Sequence, residues 1–185
     1  LAIASGKTDL AERAFQAASA SAKRLKRPGE AGEAMARLGE VRLALSQPES
    51  ARQAFRTAER LLTAQKHERS VSRIQLLQAE VDVLVGDLCR AVERLESTVE
   101  KLGGSKDFGH AALGALRLGR LLYERGDDAR AATRMEDAIR FATEGGDHRA
   151  LGAALTAKAF ILGEAGALPE SFELIKGAQV AFQRA

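Results

Sequence analysis

The sequence repeats itself every 40 residues, and that period restricts the fold more than any single motif in it. Slid against itself by 40 positions, the chain aligns five blocks with no insertion between them. They are Gly6-Lys-Thr-Asp-Leu-Ala11, Ser46-Gln-Pro-Glu-Ser-Ala51, Gly86-Asp-Leu-Cys-Arg-Ala91, Gly126-Asp-Asp-Ala-Arg-Ala131 and Gly166-Ala-Leu-Pro-Glu-Ser171. In the same frame follow the column Phe15, Phe55, Leu95, Met135, Ile175, then Ala18, Ala58, Thr98, Ala138, Ala178, then Ala22, Leu62, Leu102, Ala142, Phe182. The spacing i, i+4, i+7, i+11 is one face of an α-helix. A second helix precedes each block, marked by the small column Gly39, Ala79, Gly119, Ala159 and, two residues on, the apolar column Val41, Val81, Leu121, Ile161. A small residue kept at one place in four helices points to the close approach of another helix backbone.

Each unit is therefore a helix (A), a tight turn and a second helix (B). Gly86-Asp87 and Gly126-Asp127 suit a left-handed helix stop. Ser46-Gln47-Pro48-Glu49 reads as a capping box with Pro in the first turn. Between units the expected breakers are Arg27-Pro28-Gly29, Gly103-Gly104-Ser105 and Gly145-Gly146, with Asp107 and Asp147 capping the next A helix and Ser70 capping the one after Thr63. The register predicts helices over roughly 7–26, 30–45, 48–65, 70–85, 88–102, 107–125, 128–144, 147–165 and 168–184, within a few residues at each end. The expected organisation is a single array over 1–185, with a partial unit at 1–26 and full units at 27–66, 67–106, 107–146 and 147–185. Leu1 falls in the apolar A-helix column, so Leu1–Ser5 read as the last turn of an A helix and the sequence as a segment of a longer protein. On that reading both ends expose apolar surface open to self-association.

Composition supports an all-α chain and narrows its partners. Alanine, the strongest helix former, supplies 36 of 185 residues, while aromatic residues make up 4%. The 28 basic residues nearly balance 25 acidic ones, which argues against a nucleic-acid tail or a polybasic membrane arm. With stacking aromatics scarce as well, nucleic acid is the least favoured partner. No apolar run approaches the roughly 18 residues of a membrane span. One cysteine excludes an internal disulfide and a Cys-cluster metal site, and fits a reducing, cytoplasmic setting.

Candidate chemistry is sparse. Gly6-Lys7-Thr8 has the end of a phosphate-binding loop, but Leu1 stands where that loop needs its first glycine, and the repeat frame places Gly6 in a helix–helix turn. His67, His110 and His148 have no paired metal spacing, and Cys89, in the first turn of a B helix, has no His or second Cys near it in sequence. The carboxylates scatter over helix faces. These residues give no reason to expect an enzyme, a cofactor or a metal.

Leu38-Gly39, Ser46, Ala51, Phe55 and Ala58, repeated as Leu118-Gly119, Gly126, Ala131, Met135 and Ala138, resemble the signature of tetratricopeptide repeats. The family's usual period is 34, so each unit here is six residues longer. Such 40-residue variants resemble the arrays of spindle-orientation adaptors and of large bacterial regulators. The resemblance implies a right-handed superhelical solenoid of antiparallel helix pairs, about nine helices, with A helices lining a concave wall. It also implies a scaffold that binds a protein or peptide. Counting helix periods then places Glu33, Ala36, Glu40, Leu43, Arg73, Leu76, Glu80, Val83, Leu84, Leu113, Leu116, Arg120, Tyr123, Thr156 and Phe160 on that wall. Ala36, Leu76 and Leu116, with Glu40 and Glu80, stand where chaperone-binding members carry a carboxylate clamp, so a chaperone tail is disfavoured.

Two readings of the wall stay open: an inner core, or a groove for an amphipathic segment. The groove would have Glu40, Leu43, Leu76, Glu80, Val83, Leu116, Arg120, Tyr123 and Phe160 as partner-binding residues, acids flanking one end and Arg117 and Arg120 the other. The leading function is a protein-interaction scaffold. The alternative is a regulatory sensor segment of a signalling protein that binds a small ligand, suggested only by analogy with the bacterial regulators.

Overall fold

The computed structural model describes the backbone of residues 2–185 and the side chains of residues 9–185. Nine helices and no strand occupy the described residues: α1 Ala2–Arg24, α2 Pro28–Ala44, α3 Pro48–Ala64, α4 Glu68–Leu84, α5 Leu88–Gly104, α6 Phe108–Glu124, α7 Asp128–Glu144, α8 His148–Glu164 and α9 Leu168–Arg184. From α2 onward every helix has 17 residues and every join has three.

The joins are built alike. One residue in each takes a positive φ, and these fall every 20 positions: Lys26, Ser46, Lys66, Gly86, Lys106, Gly126, Gly146 and Gly166. The N–H of that residue bonds the carbonyl three back, and the next N–H reaches five back, as in Ser46 to Leu43 (2.9 Å) and Gln47 to Arg42 (2.9 Å). This paired closure satisfies carbonyls that a helix end would otherwise leave bare. It also corrects four sequence expectations. Ser46 is the left-handed residue and not a cap; Gln47 precedes the helix with no side-chain cap bond. Gly103 and Gly104 lie inside the last turn of α5, and Lys106 makes the reversal. The join after Thr63 turns at Lys66, so α4 begins at Glu68 and Ser70 lies within it. α1 runs unbroken through Gly6, which makes no turn here. The expectation about Leu1 lies outside the described residues, as do the side chains of Leu1–Ser5.

Asp127 and Asp147 do cap, accepting from the N–H groups of Arg130 (3.3 Å) and Ala150 (2.9 Å). Asp107 precedes α6 but spends its carboxylate on His110 Nδ1 at 3.0 Å.

The helices form two compact units, Leu1–Ala91 and Val92–Ala185. In the first, α1 packs on α2, α2 on α3 and α3 on α4, while α2 and α4 touch side by side. Its core joins Ala36, Ala51, Phe55, Ala58, Leu62, Ile74 and Val81, all fully buried. Burying a side chain of the Phe55 or Leu62 kind stabilises by about 1.5–3 kcal/mol. Arg42 chelates Glu12 with two nitrogens at 2.8 and 2.9 Å, and buried Asp82 meets Arg52 at 3.1 Å, the same pair of repeat positions with the charges exchanged.

In the second unit α6 packs on α7, α7 on α8 and α8 on α9, with α6 beside α8. Leu118, Leu122, Met135 and Ala138 lie in its core. Both units close their hairpins by setting a large residue against a missing side chain. A β-carbon at Gly39 would lie 2.5 Å from Phe55 Cε1, and one at Gly119 would lie 2.9 Å from Met135 Cε and 3.3 Å from the Ala131 carbonyl oxygen. Gly32 meets Leu62 and Gly152 meets Phe182 in the same way, at 2.7 Å. The close backbone approach expected at these two glycines is found at Gly119, through the Ala131 carbonyl, but not at Gly39, where the near neighbour is the Phe55 side chain.

Two outcomes follow for stability. Gly39→Ala adds helix propensity worth about 1 kcal/mol yet collides with a rigid ring, so it should destabilise by about 1–3 kcal/mol. Gly119→Ala should cost less, because the flexible end of Met135 can swing aside; denaturant midpoints for the two variants check the order. A left-handed conformation costs an ordinary residue about 1–2 kcal/mol. Lys66→Gly should therefore raise the melting temperature, while Lys66→Ala should not.

Candidate functional site

The A helices carry the sequence-predicted wall, and each unit presents its own portion. In the first unit α2 and α4 place Glu33, Glu40 and Arg73 together. The Arg73 guanidinium lies 3.2 Å from Glu33 and 3.8 Å from Glu40, and Arg37 reaches Glu40 at 2.9 Å. The acidic edge expected here is thus largely neutralised by cations of the same wall. Leu76 is 1% exposed and belongs to the core, not to a groove. Leu43 is half-buried against the Phe55–Ile74 cluster, and Glu80 is half-buried too. Val83 and Leu84 remain exposed, as the sequence suggests.

In the second unit α6 and α8 enclose a cavity of about 410 Å³. α6 supplies Arg120, Tyr123 and Glu124; α8 supplies Thr156, Ala157, Phe160 and Ile161; Met135 of α7 contributes from below. The Tyr123 and Phe160 rings meet edge to face, centroids 5.9 Å apart and planes at 82°. This is the favoured geometry for two aromatic quadrupoles. Phe160 nevertheless keeps 59% of its surface exposed.

The sequence explains why the space exists. Thr156 and Ala157 stand where α6 carries Leu116 and Arg117, and Gly163 stands where α6 carries Tyr123. Small residues on α8 leave room in front of α6. Leu116 itself is buried at 8% and lines nothing. The structure thus brings together Arg120, Tyr123 and Phe160 of the predicted set, and places Glu40, Leu43, Leu76, Glu80 and Val83 in the other unit. Met135 and Ile161 were not foreseen as lining, because their columns read as packing positions, and Ala157 was not, although Arg117 in its column was read as a groove flank.

A second, wider hollow of about 840 Å³ lies between the later part of α5 and α7. The arginines at and beside it are held by acids. Arg130 meets Glu96 at 2.7 Å, and Arg134 and Arg140 both hold Asp137, at 2.9 and 2.7 Å. Hydrogen bonds to Glu96 and then Asp127 push the Arg130 guanidinium above its ordinary range. Phe108 and Phe141 stack at 6.2 Å beside it, with Arg140 over the Phe141 ring. Cations already held by acids make a poor receptor for an anion.

Other candidates fall away on geometry. His110 pairs with Asp107, and Cys89 is exposed. Among the described residues no group of three or more His, Cys, Asp or Glu could hold a metal ion, and no helix is long and apolar enough to cross a membrane.

No protein-family model matches the sequence, and no curated protein matches it. Solved structures do. BtubC (BKLC) from P. vanneervenii superposes with a TM-score of 0.82 at 18% identity, over 97% of this chain and 75% of that one. The putative kinesin light chain TPR-like repeats of Podosopora anserina give 0.74 at 17% identity, over 98% and 91%. A Rap protein complexed with Competence and Sporulation Factor gives 0.76 at 16%, over 98% of this chain but only 52% of its own length. At these identities the likeness is one of fold: the chain has the tetratricopeptide-like helical-repeat fold.

Proposed function

We infer that the chain is a protein-interaction scaffold and that the α6–α8 wall of the second unit receives a segment of its partner. One observation carries this reading: an aromatic pair, Tyr123 and Phe160, stands partly exposed over an apolar cavity rimmed by Arg120 and Glu124. Leaving such a ring in water is unfavourable, and tyrosine, other aromatics and arginine are the usual anchors of a binding surface. A bound segment could insert one apolar side chain toward Met135 and bond the Tyr123 hydroxyl through its backbone. Arg120 on one side would favour an acidic group there and so set the direction of the segment. The ion-paired wall of α2 and α4 offers weaker anchors, since exposed pairs contribute roughly 0–1 kcal/mol. The likeness to a Rap protein solved with Competence and Sporulation Factor supports a scaffold that holds a partner.

A small-ligand sensor is the second reading, favoured by the cavity's volume of about 410 Å³, within the range of small-molecule sites. The chain has one tyrosine and no tryptophan, so Tyr123 emission reports directly on this cavity.

Selection of displayed random 12-residue peptides against the immobilised chain separates the outcomes. Enriched peptides should carry a large apolar residue and lose about tenfold or more in affinity to Phe160→Ala and Tyr123→Ala, at unchanged melting temperature. Equal binding to both variants would refute the site, and loss only with Arg134→Glu would move it to the α5–α7 hollow.

A further inference from the structure

The mouth of the α6–α8 cavity carries two charges that no other side chain answers. Arg120 and Glu124 are exposed, and among the described residues neither side chain has an ion-pair or hydrogen-bond partner. The wall of α2 and α4 differs, since Glu33, Arg37, Glu40 and Arg73 hold one another there. Nor do Arg120 and Glu124 close on each other. They stand one turn apart on α6 with the base first, the poorer order for a pair at i and i+4, because each charge then lies toward the wrong end of the helix dipole. Beside them the wall is apolar: Tyr123 precedes Glu124, Phe160 faces Tyr123 edge to face, and Met135 forms the floor.

An occupant that answers all of this brings an anion, a cation and an apolar group to one face, with the charges about 6 Å apart, the spacing of i and i+4. In an extended segment every second residue shares a face, so three such groups span about 13 Å. In a helix, residues at i, i+3 and i+4 share a face within one turn. The spacing at the cavity mouth is therefore that of a helix. Direction follows from the dipoles. A helix antiparallel to α6 sets its positive end beside the negative end of α6, and meets Glu124 first and Arg120 one turn later. Its base then comes first and its acid four residues on. The anchor between them is aromatic. A methionine floor favours a ring, and the Tyr123–Phe160 pair takes a third ring by its edge.

We propose that the cavity receives an amphipathic helix of the partner, antiparallel to α6, with Lys or Arg at i, an aromatic residue at i+3 and Asp or Glu at i+4. This rests on the α6–α8 wall being the binding surface, and adds what that surface selects. The arginine and glutamate of α6 each gain a partner, and the aromatic pair is covered.

The test uses a capped alanine–glutamine helix of about 17 residues, long enough to form in water. It bears one lysine, a tryptophan three residues later and a glutamate directly after the tryptophan. The chain has no tryptophan, so emission from the probe reports its binding. The probe should bind saturably, and about tenfold more weakly to Phe160→Ala. Arg120→Glu, at an exposed position where folding is not at stake, should weaken it about fivefold. A probe whose glutamate is changed to arginine should recover that loss on Arg120→Glu, and one with leucine for tryptophan should bind the parent about three- to tenfold more weakly. Failure of the probe to bind, full binding after a central proline breaks it or leucine replaces its anchor, or no recovery in the charge-reversed pair would overturn the proposal. The binding surface itself would still stand if peptides selected against the chain depended on Phe160. Equal binding of the probe to Phe160→Ala would strike that surface too. Arg120, Tyr123 and Glu124 carry the same motif, so a parent that sediments as a dimer, and as a monomer with Arg120→Glu, would overturn it in favour of a second copy.

Discussion

Everything in this molecule depends on reversing the chain within three residues, once every 20. The left-handed residue at each reversal fixes where one helix ends, and the next begins two residues later. Helices of one length joined by turns of one geometry return the same face to the same neighbour. The size-matched contacts of Gly39 with Phe55 and Gly119 with Met135 can form only on that condition, because each pairs residues 16 apart across a turn. A join one residue longer would rotate the second helix by about 100° and present another face. Three reversals use lysine, at 26, 66 and 106, which shows that packing on both sides overrides the residue's own conformational preference.

That dominance explains what could be read in the sequence. The 40-residue columns are side-chain contacts seen end-on, so Phe55, Met135, Gly39 and Gly119 were legible as core. The joins were less so, because glycine and serine attract attention as punctuation. Gly103 and Gly104 are instead the last helical residues of α5, with the Phe141 ring against Gly103, while lysine makes the turn. Gly6 drew the same reading, whereas α1 continues through it.

The wall was legible in part. Arg120, Tyr123 and Phe160 could be found by counting helix periods, and they do line one cavity. Leu76 and Leu116 could not be separated from them by counting. Their column, with Ala36, lies where successive A helices touch, and it is buried; it opens only at Thr156. A hydrophobic residue on a line between two helices has the same periodicity as one facing an open groove. The cavity is a property of differences between units. Thr156, Ala157 and Gly163 are smaller than their equivalents on α6, and the missing volume is the cavity.

The resulting division of labour is physical. In the first unit the wall is closed by ion pairs among Glu33, Arg37, Glu40 and Arg73. In the second it is open, apolar below and aromatic above. The most direct measurement is a crystal structure of the chain with a peptide selected against it. The account predicts electron density lying over Tyr123 and Phe160, with one side chain directed toward Met135. Density in the hollow between α5 and α7, or along α9, with the aromatic cavity left empty, would contradict it.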